Sequence, residues 1–129
     1  MMMKEAVTND NYLLTYDDVV VDISMLYDVA ANDEAYIKLM ADTFLKTVPA
    51  YLTNINESFQ KEDFEALYQS AHKMKSTLSI VKINDMLEWV KQIEQYAKQK
   101  NNDPALAELL EKVNKRFLIA IELLQNKFA

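Results

Sequence analysis

The sequence contains a single histidine, His72, and no cysteine. Imidazole titrates near neutral pH, so its neutral, nucleophilic form is available under ordinary conditions. Lys75 and Ser76 follow about one helical turn later, and in a helix they lie beside the imidazole. The lysine can attract phosphoryl oxygens and the small serine leaves space above the ring, and phosphoryl transfer depends mainly on such positioning and charge stabilisation. These residues predict that His72 accepts a phosphoryl group.

Other chemistries at His72 need residues that the chain lacks. A metal site would have to be completed by carboxylates, and the closest one in sequence on this helix face, Glu65, is about two turns away. Ser76 and Ser79 lie on the histidine's own helix without an oxyanion hole, so a hydrolase triad is not expected. The Glu-x-x-His pairs of metal-carboxylate bundles are also missing. A solvated histidine without any role stays open as an alternative.

The composition favours one all-helical domain. The 129 residues are 50% hydrophobic, enough for one core, and they include no glycine and two prolines. Turns that need positive φ are therefore scarce, and long helices are favoured. The absence of glycine also removes the phosphate-cradling loops of nucleotide-binding folds, so ATP binding by such a loop is not expected.

The charge and the hydropathy pattern limit the partners and the location. A formal charge of −6 and a pI near 4.8 disfavour binding to nucleic acids and anionic membranes, which need clustered Lys and Arg. Residues 1–16 lack the apolar run of a signal peptide, and the most apolar stretch, residues 117–124, is too short to span a bilayer. We therefore expect a cytoplasmic protein without membrane insertion, and the lack of cysteine fits a reducing compartment.

Apolar residues recur every three or four positions along most of the chain and predict four long helices. Pro49 falls inside one of these patterns and predicts a kink or a local break near residues 47–49. A short helix is predicted from about residue 22 to residue 30, although residues 19–21 would also suit a strand. The four long predicted helices cover about residues 33–59, 63–81, 84–100 and 103–124.

Four long amphipathic helices joined by short turns pack most simply as an antiparallel up-and-down four-helix bundle. The short additional N-terminal helix would cover one end of this all-α fold. We expect residues 1–18 to form a flexible or extended arm, and residues 19–129 to form the bundle domain.

The apolar stripe of the third long helix centres near Ala71, and His72 lies roughly 120° away from that centre. His72 is therefore predicted to be exposed. On the following helix, Trp89 and Tyr96 are expected to pack against the first helix or loop, and Glu94 is expected to make a structural polar contact. The neighbours of His72 on its own helix face are Tyr68, Gln69, Lys75, Ser76 and Ser79.

At residues 71–76 the sequence AHKMKS resembles the signature of the histidine-phosphotransfer (HPt) domains of multistep phosphorelays. That signature is Ala, the phosphoaccepting His, any residue, an aliphatic residue, Lys and Gly, and all positions but the last agree. The protein is similar to HPt domains over about residues 22–127, nearly its whole length. The similarity outside the signature includes residues 33–37, Phe44, Leu45, Pro49, Leu52, residues 63–67, Ile93 and Glu94.

The resemblance implies that His72 takes a phosphoryl group from the aspartate of one response-regulator receiver domain and passes it to another. Lys75 would steady the phosphate electrostatically, and Gln69 would hydrogen-bond the phosphate or the ring. The acidic pocket of the receiver would supply Mg²⁺, and this chain would bind no cofactor. A receiver would dock on a surface formed by three further residues, Tyr68, Ser76 and Ser79.

The implied protein is a monomeric phosphocarrier without kinase activity of its own, and its partners are receiver domains and a hybrid sensor histidine kinase. A second interpretation is a non-catalytic HPt-like adaptor that docks a receiver or a kinase without being phosphorylated. Ser76 and Lys82 stand where the family usually has glycine. The Ser76 side chain is expected either to crowd the histidine slightly or to bond back to the carbonyl of residue 72. A left-handed backbone at Lys82 would cost about 1 kcal/mol.

Overall fold

The computed structural model describes residues 12–128, and these contain five helices and three short strands. The four long helices predicted from the periodicity are all present, so the mostly helical fold is confirmed. In chain order the elements are β1 (Leu13–Tyr16), β2 (Val19–Asp22), α1 (Ser24–Val29), α2 (Glu34–Gln60), α3 (Phe64–Leu78), β3 (Lys82–Ile83), α4 (Met86–Lys98) and α5 (Pro104–Phe128).

Helix α2 is a single helix of 27 residues that runs through Pro49. Asp33 caps its start, since Oδ1 accepts a hydrogen bond from the Tyr36 N–H at 3.1 Å. Proline removes one backbone donor from the helix interior. However, Phe44 before it and Ile55 after it are both buried in the same core. The predicted local break at this proline is therefore absent, because the packing of both halves offsets the lost hydrogen bond.

Aspartates cap the starts of α3 and α5. At the start of α3, Asp63 Oδ1 accepts a hydrogen bond from the Ala66 N–H at 3.1 Å. Before α5, Asp103 Oδ1 accepts one from the Ala105 N–H at 2.9 Å, and Pro104 is the first residue of the helix. Proline is tolerated there because the first N–H of a helix has no intrahelical partner. Both aspartates therefore stabilise the first turn of the helix that follows them.

The long helices contact one another in a cyclic order, since α2 contacts α3 and α5, and α4 contacts the same two helices. The core lies between them, and the rings of Phe44 and Phe117 meet there with centroids 6.4 Å apart. Asn56 on α2 and Asn114 on α5 exchange two side-chain hydrogen bonds of 2.9 Å. The fully buried core residues include Ile37, Ile55, Leu67, Met74, Val90, Ile93, Val113 and Phe117.

The three strands form a small antiparallel sheet in the order β1–β2–β3. Leu14 of β1 and Val21 of β2 are buried and add one edge to the helical core. The side chain of Asn84 extends the pairing, because its Oδ1 accepts a hydrogen bond from the Val20 N–H at 2.8 Å. The sheet joins the N-terminal hairpin to the segment that leads into α4.

This sheet includes part of the N-terminal segment for which an arm and a short helix are predicted. Residues 13–16 of the arm predicted over residues 1–18 form β1, and residues 1–11 of that arm lie outside the described residues. The short helix predicted from residue 22 begins at Ser24, and residues 19–21 adopt the strand alternative. Four-residue strands carry too little alternation to be distinguished from a short helix by pattern alone.

Helix α4 begins after Asp85, which has a left-handed φ of 66° and makes no side-chain cap bond. Its carboxylate accepts a hydrogen bond from Arg116 Nη1 at 2.7 Å, and Arg116 Nη2 donates to Asp18 at 3.1 Å. The guanidinium also lies 4.6 Å from the centre of the Trp89 ring. Arg116 therefore links Trp89 to α5, a contact that was not predicted for this ring. The packing of Trp89 against the first helix or loop stays a prediction. Tyr96 is partly buried against the core.

Six described residues have positive φ although none is glycine: Asp17, Ala31, Asn32, Glu62, Asp85 and Lys100. A left-handed conformation costs a non-glycine residue about 1–2 kcal/mol, and Asp and Asn adopt it more readily than others. Lys82 is not among them, because it pairs with Asp22 in the sheet and is therefore extended. The penalty that a left-handed Lys82 would carry is absent.

Candidate functional site

Helix α3 presents His72 on its outer face. Ala71 and Met74 are fully buried on the opposite side of the helix, whereas 56% of the His72 side chain is exposed. The periodicity of the apolar residues predicts this exposure, and the structure confirms it. The imidazole is therefore accessible to a second protein.

Glu94 of α4 joins His72 and Lys75 through its two carboxylate oxygens. Its Oε2 lies 2.6 Å from His72 Nδ1, and its Oε1 accepts a hydrogen bond from Lys75 Nζ at 2.7 Å. Only 15% of the Glu94 side chain is exposed, so water competes little for these oxygens. One carboxylate thus connects α4 to both residues that the sequence singles out on α3.

The surroundings of Glu94 keep its carboxyl group ionised. Burial raises its pKa, but the hydrogen bonds from Lys75 and His72 outweigh burial, and the pKa lies below the usual value of a glutamate. An ionised carboxylate only accepts hydrogen bonds, so we assign a proton to His72 Nδ1. In the neutral ring the other nitrogen, Nε2, then carries the free lone pair. The arrangement makes Nε2 the nucleophilic atom.

Tyr68 lies one turn before His72 on α3, and the two rings are stacked. Their centroids are 5.7 Å apart and their planes differ by 17°. Tyr68 is itself partly buried against the core, so its ring is a fixed surface for the imidazole. Tyr68 therefore belongs to the immediate surroundings of the candidate nucleophile.

The other predicted site residues lie farther from the chemistry. Within residues 12–128, no hydrogen bond joins Gln69 to His72, and Gln69 instead lines a polar cleft of about 320 Å³ between α2 and α3. Ser76 Oγ donates to the carbonyl of Lys73 at 3.1 Å, and the bond predicted to the carbonyl of residue 72 is absent. Ser79 Oγ donates to the Ser76 carbonyl at 2.6 Å. Both serines use their hydroxyls on their own helix.

An apolar groove of about 460 Å³ runs between α2 and α3, on the side of α3 away from α4. Ser76 lines it beside Tyr36, Leu39, Met40 and Ile80. Leu39 and Tyr36 are 59% and 47% exposed, respectively, so the groove includes exposed apolar area from two neighbouring large side chains. The groove places an exposed apolar surface one turn from His72.

Glu94 makes a polar contact, as predicted from its position beside the apolar stripe of α4. The residues that it contacts, His72 and Lys75, could not be predicted. Two signals point to it in the sequence, its position beside an apolar stripe and the Ile93–Glu94 pair in the HPt resemblance. Neither specifies which residue across the helix interface it contacts.

Two features of residues 12–128 bear on other functions. No group of three or more His, Asp or Glu side chains in this part of the chain could hold a metal ion. No helix in the same range is long and apolar enough to cross a membrane.

The family model of the Hpt domain matches residues 39–127, more than half of the chain, and the protein therefore belongs to the Hpt domain family. Hpt domain proteins act in histidine phosphotransfer within two-component phosphorelays, as phosphocarriers rather than classical enzymes.

Among solved structures, the chain is similar to the histidine-containing phosphotransfer protein B (HptB) of Pseudomonas aeruginosa PAO1. The TM-score is 0.74 at 21% sequence identity, over 84% of this chain and 93% of that chain. This likeness supports the HPt fold. No curated protein sequence matches the chain.

Proposed function

We propose that this protein is a histidine-containing phosphotransfer protein, in which His72 accepts a phosphoryl group from the aspartate of one receiver domain and passes it to another. The observation that carries the proposal is the contact of 2.6 Å between His72 Nδ1 and Glu94. This contact directs the lone pair of the exposed ring to Nε2, where a receiver can reach it.

The transfer forms one bond and breaks one. The Nε2 lone pair attacks the phosphorus of the receiver's aspartyl phosphate, and a P–N bond forms. The P–O bond to the aspartate breaks, and its electron pair stays on the released carboxylate. The imidazole keeps its Nδ1 proton and becomes cationic, and the adjacent Glu94 carboxylate compensates this charge at 2.6 Å. Onward transfer reverses these changes with a second receiver.

Lys75 supplies the positive charge on this chain's side of the transfer. Its Nζ is held 2.7 Å from Glu94 and its side chain is 27% exposed, so it is fixed at the rim of the site. Phosphoryl transfer needs charge stabilisation rather than covalent help from the protein. The Mg²⁺ ion that neutralises the remaining phosphoryl charge belongs, in this proposal, to the acidic pocket of the receiver.

The apolar groove supports a receiver as the partner. Leu39 and Tyr36 offer exposed apolar area in a groove that Ser76, one turn from His72, also lines, and such area commonly marks a protein-binding surface. A receiver that docks over α2 and α3 would bring its aspartyl phosphate to His72. In this proposal, one such receiver is part of a hybrid sensor histidine kinase. This chain is proposed to have no kinase activity of its own.

The finer architecture belongs to the same proposal. We infer that α2 to α5 form an antiparallel up-and-down bundle with α1 at one end. Lys38 near the start of α2 donates a hydrogen bond of 2.7 Å to the carbonyl of Phe128 at the end of α5. Farther along, Asn56 of α2 contacts Asn114 of α5, as antiparallel helices require. The protein is proposed to act as a cytoplasmic monomer.

The test uses the purified protein, Mg²⁺ and a receiver domain carrying radiolabelled phosphate. The wild type is expected to gain a label that acid removes and alkali does not, as a phosphoramidate behaves. His72→Gln is expected to gain none. Glu65→Gln changes an exposed residue on the same helix and serves as the matched control, which should be labelled like the wild type.

Label that persists in the His72→Gln variant would place the phosphoryl group elsewhere and refute the proposal. A wild type that binds receivers but never gains label would instead favour the non-catalytic adaptor. Circular dichroism of each variant verifies that the helices are retained.

A further inference from the structure

Tyr68 stacks on His72, although neither the formation of α3 nor the packing of the core depends on this contact. Tyr68 is already anchored against the core, and within residues 12–128 its hydroxyl makes no hydrogen bond. Its ring nevertheless lies nearly parallel to the imidazole, at 5.7 Å and 17°. The contact therefore acts on the imidazole itself.

The hydrogen bond to Glu94 leaves one motion of the His72 ring free. The ring is bonded to Cβ through Cγ, and the hydrogen bond restrains Nδ1, so the ring plane can still tilt about the line through these two atoms. Nε2 lies off that line, and tilting would swing its lone pair away from the line of attack. The parallel face of Tyr68 restricts this motion, because tilting the imidazole would break the stack.

We propose that Tyr68 is a positioning residue that orients the Nε2 lone pair of His72 for attack on the receiver's phosphoryl group. The inference rests on the proposed function. Phosphoryl transfer depends strongly on the alignment of the attacking atom with phosphorus. The ring also becomes cationic when Nε2 is phosphorylated, and an aromatic face stabilises a cation stacked on it. Tyr68 thus favours both the approach and the product.

This role differs measurably from the docking role that the sequence analysis assigned to Tyr68. A docking residue changes the receiver concentration at which transfer is half-maximal. A positioning residue changes the maximal rate of transfer and leaves that concentration unchanged. Single-turnover kinetics over a range of phosphorylated receiver concentrations separate the two quantities.

The test compares the wild type with Tyr68→Leu and Tyr68→Phe in the full-length protein. Tyr68→Leu is expected to lower the maximal rate roughly fivefold, the worth of one aromatic pair. Tyr68→Phe keeps the stacking face and is expected to transfer at the wild-type rate, since the hydroxyl has no hydrogen-bond partner among residues 12–128. Nitrogen NMR of the His72 ring is expected to report the Nδ1–H form in all three proteins, because Glu94 is intact.

Three results would overturn the inference. They are an unchanged maximal rate in Tyr68→Leu, an effect confined to the half-saturating receiver concentration, and a Tyr68→Phe variant as slow as Tyr68→Leu. Thermal unfolding monitored by circular dichroism verifies that both variants are folded. A wild type that gains no label would refute the proposed function itself, whereas normal wild-type labelling with a normal Tyr68→Leu rate refutes only the role of Tyr68.

Discussion

The two sides of helix α3 differ in character. One side carries the Tyr68 ring stacked on His72 and the hydrogen bond from Lys75 to Glu94 of α4. The side that faces α2 carries a groove of about 460 Å³ whose lining residues include no charged side chain. One helix therefore separates the groups that act on His72 from the surface offered to a partner.

This separation means that rate and affinity should respond to different substitutions. Charged and stacked groups on the α4 side act on the imidazole and should alter the rate of transfer within the complex. Exposed apolar groups on the α2 side, such as Leu39, should instead alter the affinity for the partner. A variant on one side that changed the quantity assigned to the other would contradict the comparison.

The largest effect is expected from Glu94→Ala. Loss of the carboxylate removes the acceptor that holds the proton on Nδ1 and the charge that balances the phosphorylated ring. We expect the maximal transfer rate to fall about 100-fold, the lower end of what a positioned proton-handling group contributes. Single-turnover labelling measures the rate, and nitrogen NMR measures the shift of the proton between Nδ1 and Nε2.

Glu94→Gln is the matched variant for this prediction. Its amide oxygen can still accept from Nδ1, so it should be faster than Glu94→Ala but slower than the wild type. A Glu94→Ala protein with wild-type kinetics would show that Glu94 is only a structural contact, as the sequence analysis expected.

The next largest effect is expected from Leu39→Asp in the groove. A charge at this exposed position would have to be desolvated under an apolar partner, so the half-saturating receiver concentration should rise about tenfold. The maximal transfer rate should not change. The same single-turnover titration measures both quantities.

Leu118→Asp is the control for the groove, because Leu118 is also an exposed leucine in a helix, 70% accessible, but lies on α5. It is expected to bind the receiver like the wild type. Equal losses of affinity in both variants would indicate a general effect of added negative charge and would remove the groove from the docking surface.

The smallest effect concerns stability on the α4 side. The pKa of Glu94 is lower in the folded protein than the ordinary glutamate pKa of 4.5. Its hydrogen bonds therefore stabilise the fold fully above pH 4.5, and this stabilisation is lost as the pH falls through the lower pKa of the folded state. We expect the wild type to exceed Glu94→Gln by about 1 kcal/mol in unfolding free energy at neutral pH, and the difference to vanish in acid. Urea denaturation over a pH series measures it.

Glu111→Gln is the comparison for the pH series. Glu111 pairs with Lys115 at 2.8 Å on the surface, where both side chains are more than half exposed. Solvent screens such pairs, so the same substitution there should have a much smaller effect. A Glu94→Gln difference that grew in acid would contradict the sign of the pKa shift.

The sequence predicts the helices and the exposure of His72 because both follow from local periodicity. Asp63 and Asp103 could be recognised as caps for the same reason, since a cap bonds to its own first turn. The strands do not follow from local periodicity in the same way, because they depend on pairing with a neighbouring strand. Lys82 and Ile83 form a strand of two residues that exists only because β2 lies beside it.

The roles of Glu94 and Trp89 depend on distances between helices, which periodicity does not contain. Glu94 lies 22 residues after His72, and its contact depends on how α4 packs on α3. Trp89 meets Arg116 of α5 for the same kind of reason. The periodicity identifies which face of each helix is buried, but the partner across an interface is a property of the assembled fold.

The left-handed turn residues also bear on the unfolded chain. Glycine loses more conformational freedom on folding than any other residue, and this chain contains none. The unfolded ensemble is therefore narrower than that of a chain with glycine at these turns. The left-handed backbone at Ala31 or Lys100 raises the free energy of the folded protein. The unfolded protein, however, has less conformational entropy than it would have with glycine at these positions, and this offsets part of the strain. Part of the stability of these turns therefore comes from the lower conformational entropy of the unfolded chain, which cannot be deduced from the contacts of the folded structure.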